Sequence, residues 1–158
     1  MAANSVSLES DDVHSSVREA SQNHSYMIDD GFETSVTVRI RDLDSMGHVN
    51  NAVYATYLEQ ARNDYFREVL GVSLSEMDSV LASLELDYAR SIEAKDDVTV
   101  SITITEIGSA SLSMAYEIRA NGEQAATART VQVHTDPENG GSRPIPSSWR
   151  LRIEHRQG

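Results

Sequence analysis

Val98-Thr99-Val100-Ser101-Ile102-Thr103-Ile104 alternates apolar and polar side chains at almost every step. That period of two marks a half-buried strand. Ala110, Leu112, Met114, Tyr116 and Ile118 repeat it a few residues on. Asn121-Gly122 then supplies a two-residue hairpin turn. A further strand is expected from about Glu123 to Thr135, with Val131 and Val133 on one side and its facing open. Upstream, Val80, Ala82, Leu84, Leu86 and Tyr88 read as one more strand on one face. Four strands in succession with short turns predict an antiparallel sheet.

Before these strands the period changes. Tyr54, Tyr57, Leu58, Ala61, Tyr65 and Val69 fall at helical spacing on one face. Gly71 is a C-terminal stop, and Asn50 or Asn51 can cap the start. Ahead lies a polar loop, Asp42 to Asn51. Ahead of that, Val36, Val38 and Ile40 alternate with Thr37, Arg39 and Arg41 as a first strand. A short segment through Trp149, Leu151 and Ile153 is expected to add a last edge strand. The class is α+β, with five or six antiparallel strands. One long helix must cover one sheet, so the sheet is expected to wrap around it. Exposed sheet edges then predict a homodimer, with pairing of dimers into tetramers left open.

The 158 residues fit one domain with a core of its own. Residues 1–30, rich in Ser, Asn, Asp and Glu, are expected to be a disordered tail. Residues 31–136 form the domain. Residues 137–158 are a segment rich in Pro and Gly, then in Arg. Met27 stands just before the first patterned segment, so translation from Met1 or from Met27 are both open. No cysteine is present, which excludes disulfides, thiolate metal sites and cysteine nucleophiles. Asp plus Glu outnumber Lys plus Arg by 25 to 13, for a net charge of -12. Such a chain repels nucleic acid and anionic membranes. No apolar run suits a membrane span or a signal peptide, so the expected location is the cytoplasm. Lys95 is the sole lysine against twelve arginines. Adaptation to concentrated salt and a GC-rich coding bias explain that equally.

Arg41-Asp42-Leu43-Asp44-Ser45-Met46-Gly47-His48-Val49-Asn50-Asn51, followed by Tyr54, Leu58, Glu59, Ala61 and Arg62, resembles the hotdog-fold acyl-CoA thioesterases of the 4-hydroxybenzoyl-CoA thioesterase-like family. Leu84 to Ile92 and Asp97-Val98 look like that family's second strand and its turn. The resemblance covers about residues 32–135. It implies a hotdog fold and hydrolysis of an acyl-CoA, with water the only co-substrate and no metal or redox cofactor. It also implies that Asp44, three residues before the glycine, is the catalytic carboxylate, acting as base or nucleophile.

Residue chemistry points to the same loop. A thioester carbonyl needs donors for its developing negative charge, and the first turn of a helix offers unpaired N–H groups at a positive dipole end. The amides around Val49 to Ala52 are the expected donors, and Gly47 lets the backbone approach the substrate. The plain alternative is that Asp44 and Asn50 are only turn and cap residues. His48, with Asn50 and Asn51, is a candidate for proton transfer or for orienting groups, or a filler of the dimer interface.

Tyr54, Tyr57 and Met46 are candidate walls of the acyl pocket, and Gly47, Val49, Tyr54, Glu59 and Arg90 are carried as substrate-binding positions. Glu59 has a bland alternative, a surface ion pair with Arg62 or a contact with Asn63. Arg90, or the cluster Arg143, Arg150, Arg152 and Arg156, is a candidate to meet the phosphates of coenzyme A. The alternative for the cluster is a solvated tail. The remaining histidines lack metal-ligand spacing, and no serine-hydrolase elbow or nucleotide-binding glycine loop occurs. A carrier-protein thioesterase and a non-catalytic acyl-CoA-binding dimer remain as alternatives.

Overall fold

The fold is described from a computed structural model covering residues 31–157. The tail expected over residues 1–30, and Met27 with it, lie outside these. Strand β1 spans Phe32–Val36, helix α1 Val53–Tyr65, β2 Ser79–Tyr88, β3 Val98–Ile107, β4 Ser111–Ala120, β5 Glu123–His134 and helix α2 Ser147–Gln157. The five strands form one antiparallel sheet in the order β1-β3-β4-β5-β2.

Helix α1 packs over β1 and β3. Tyr54, Tyr57, Leu58, Ala61 and Tyr65 are buried along it, as their spacing predicts. The helix runs into one π-helical turn, Phe66–Leu70, and stops at Gly71 with φ +72°. That left-handed backbone is the reason for a glycine there.

Three expectations need correction, and the open facing of β5 is decided. The first strand ends at Val36, opposite Val98 where β3 begins. Beyond that point β3 offers no further ladder partner, so Ile40 falls in a 3-10 turn and is 90% exposed. In β2 a register shift between Leu81 and Ser83 breaks the single face. Val80 therefore sits opposite Val133, while Leu81 sits opposite Gln132 and Leu84 opposite Thr130. In β5 the side opposite the core residues of β4 carries Ala126, Ala128, Thr130 and Gln132. Val131 and Val133 lie on the other side of that strand, only partly buried. Finally, the segment through Trp149 and Ile153 is helix α2, not an edge strand. It follows Pro146, whose carbonyl accepts from the N–H groups of Trp149 and Arg150. Ile145 and Ile153 join the core, and Trp149 packs against it.

Candidate active site

Asp44 fixes its own loop. Its N–H donates to the His48 carbonyl at 2.7 Å, and its carbonyl accepts from Gly47 at 3.1 Å. Its Oδ1 accepts from the N–H groups of Met46 and His48, at 2.8 and 3.1 Å. Asp44 is thus the turn residue that the plain alternative describes. Yet only one oxygen is used: Oδ2 takes no hydrogen bond among the described residues. Gly47 has φ +79°, and a Cβ there would meet nothing within 4 Å. Backbone conformation, rather than crowding, requires that glycine.

The start of α1 sorts the expected amide donors. Val49 N–H donates to the Ile92 carbonyl and Asn50 N–H to the Asp42 carbonyl, both at 2.8 Å. Ala52 N–H donates to Asn50 Oδ1 at 3.0 Å, so Asn50 closes a turn just ahead of the helix; the cap position itself is Ala52, without a side-chain cap, rather than Asn50 or Asn51. Of the four expected amides, Asn51 N–H alone has no acceptor among the described residues.

Two tyrosines stitch this helix start to the end of β2. Tyr88 donates its hydroxyl to the Asn51 carbonyl at 2.7 Å, and Tyr54 donates to the Arg90 carbonyl at 3.2 Å. Their rings meet edge to face, 4.9 Å between centroids. Burial pushes the Tyr54 phenol above its usual range. Tyr57 donates to Asp42 Oδ2 at 2.8 Å. Asp42 also accepts from Arg39 N–H, so it holds the loop base.

The result is a cleft of about 270 Å³ lined by Asp44, His48, Val49, Asn51, Tyr54, Tyr88, Ala89, Arg90 and Ser91. It gathers most of the residues singled out in the sequence. Sequence reasoning missed Tyr88 and Ser91. Tyr88 ends an alternating strand, which gave no signal of a second task.

Other expected contributors are engaged or elsewhere. Arg90 lines the cleft but is paired with Glu123 and, at 3.5 Å, with Asp96. Glu59 lies outside the cleft, beside a second cavity. It makes no ion pair with Arg62, because Arg62 turns inward to donate to the Tyr116 hydroxyl at 3.4 Å. Arg143 pairs with Asp78 and donates to His134. Arg150 and Arg152 donate to the carbonyls of Gly108 and Leu70, and Arg156 lies over the Phe32 ring. Among the described residues no group of three His, Asp or Glu side chains is placed to hold a metal ion, and no helix is long and apolar enough to cross a membrane.

Comparison with known proteins gives the frame for this cleft. The model of the thioesterase-like superfamily matches residues 38–153. A solved thioesterase from Thermus thermophilus, complexed with coenzyme A and Zn, superposes with a TM-score of 0.74 at 40% identity, over 82% of this chain and 95% of that one. An acyl-CoA thioesterase from Haemophilus influenzae, YbgC, is 26% identical over 60% of this chain and 74% of its own length. A chloroplastic acyl-acyl carrier protein thioesterase of Arabidopsis thaliana is 28% identical over 78% of this chain and 67% of its own length. The chain belongs to the thioesterase-like superfamily and is a thioester hydrolase with the hotdog fold.

Proposed function

We propose that this protein hydrolyses an acyl-CoA to the free acid and coenzyme A at the Asp44 cleft. The observation that carries the reading is one unspent carboxylate oxygen and one unspent helix-start amide on a single cleft. The substrate carbonyl oxygen accepts from Asn51 N–H at the positive end of α1, which stabilises the oxyanion as it forms. Asp44 Oδ2 then acts in one of two ways. As a base it takes a proton from water, and the hydroxide adds to the carbonyl carbon. As a nucleophile it adds to that carbon itself, and water later cleaves the anhydride. In both routes the C–S bond breaks and the thiolate leaves with a proton, for which His48 is the nearby shuttle.

The working form in this reading is a homodimer. Strand β2 has one hydrogen-bonded neighbour, β5, and its other edge is unpaired among the described residues. On its helix-side face Leu81, Leu84 and Tyr88 are 41%, 39% and 46% exposed. A second copy on that edge covers them and closes the cleft around the acyl group.

Carrier-bound acyl groups are the second reading, favoured by the Arabidopsis relative. Measuring free-thiol release from one acyl group, on coenzyme A and on a carrier protein, decides between them. Faster release from coenzyme A is expected. Release from the carrier alone transfers the reading to the second substrate, and no release from any member of an acyl panel ends both.

A further inference from the structure

The second cavity holds a charge that the fold itself does not answer. It measures about 620 Å³ and is lined by Glu59, Arg62, Asn63, Ser79, Leu81 and Gln132, among others. Arg62 is only 4% exposed. No carboxylate of the described residues lies within 4.0 Å of its guanidinium, and its Nε has no hydrogen-bond partner. Gln132 Oε1, also buried on this cavity, has no partner either among the described residues. A buried cation without a counter-charge is costly at every moment, not only when substrate is bound. Its answer is therefore a resident carboxylate rather than a passing ligand.

Glu59 is an exposed acid on the same cavity, without an ion pair among the described residues. It stands three residues from Arg62 on α1, about 4.5 Å along the axis. Two antiparallel copies of α1, related by a two-fold axis passing between these positions, bring each Glu59 opposite the other Arg62. A two-fold interface makes such pairs reciprocally. The bare side of β2, with Ser79 and Leu81 on the cavity wall, lies at the same place.

We infer that Glu59 of a second copy of this chain enters the cavity and pairs with the buried Arg62, twice per dimer. This rests on the homodimer reading above and gives it a residue-level lock.

The test mixes two full-length variants, Glu59→Lys and Arg62→Glu. Each alone sets like charges against each other across the interface, whereas the mixture sets opposite charges at both pairs. Sedimentation at graded concentrations should show weak self-association of each variant and a restored mixed dimer. Glu59→Gln, an exposed change that cannot unpack the core, should raise the dimer dissociation constant by about 30-fold or more. Equal association in the single and mixed samples overturns the pairing, as does a wild type that stays monomeric. If Arg62→Glu does not fold, an unmoved Glu59→Gln constant overturns it as well. Thiol release measured on the same samples separates the outcomes. A mixed dimer without hydrolysis leaves the lock standing and sinks the acyl-CoA reading. Hydrolysis without mixed pairing does the reverse.

Discussion

Strands β4 and β2 carry similar alternating sequences and meet opposite fates. In β4, Leu112, Met114, Tyr116 and Ile118 are all buried to within 1%. In β2, Leu81, Leu84 and Tyr88 keep about two-fifths of their surface. The difference is position: β4 is central, while β2 is the last strand of the sheet and α1 lies toward the other edge of the same face, over β1 and β3. Alternation tells a strand which way to face. Its neighbours in the sheet decide whether that face is covered. The exposed face of β2 and the Asp44 cleft meet at Tyr88, so the uncovered strand also borders the candidate site.

In stability, the largest effect is expected on the covered side. Ile118→Ala should cost about 3 kcal/mol by leaving a cavity in the core, read as a shifted denaturant midpoint at any protein concentration. Leu84→Ser should cost under about 1 kcal/mol in dilute solution, with a loss of stability that grows as concentration favours the dimer. The contrast breaks if dilute Leu84→Ser unfolds as readily as Ile118→Ala. Tyr88→Phe removes the hydroxyl that holds the Asn51 carbonyl and should cost about 1 kcal/mol. It should also lower kcat more than it raises KM; an unchanged kcat would detach Tyr88 from the cleft.

The smallest effect at neutral pH belongs to Tyr65, buried with a hydroxyl that has no partner among the described residues. Burial pushes its phenol up to about 12. The unfolded phenol titrates near about 10. The folded pKa is the higher one, so this stabilisation is complete below pH 10 and declines as pH rises from there through 12. Tyr65→Phe should be nearly neutral at pH 7 and should flatten part of the alkaline decline, followed by circular dichroism. An alkaline limb identical to wild type would leave the decline to the other phenols that burial pushes up, Tyr54, Tyr57 and Tyr116.

Much of this was legible in the residues. The helix face, the stop at Gly71 and the Asn121-Gly122 turn follow from local chemistry, and both turn residues have positive φ as that turn requires. The loop from Asp44 to Asn51 was recognisable because its residue types and spacing are specific. Features set by non-local contacts were hidden. The inward polar side of β5 depends on register with β4, and the shift in β2 has no local sign. Helix α2 has a weakly patterned face and is held by Arg150 and Arg152 on distant carbonyls. The choice of Asn51 as the unspent amide depended on where Ile92 and Asp42 place their carbonyls. Arginine 62 looked like a surface residue because its acid neighbour stands one turn away.

The central claim is that the free oxygen of Asp44 performs the hydrolysis. Its most direct test is free-thiol release from the best acyl-CoA of the panel by wild type and by Asp44→Asn, which keeps an oxygen able to hold the Met46 and His48 amides. The account predicts a correctly folded variant with kcat lower by about 10²–10⁴ and KM little changed. A folded Asp44→Asn that turns over at the wild-type rate would contradict it.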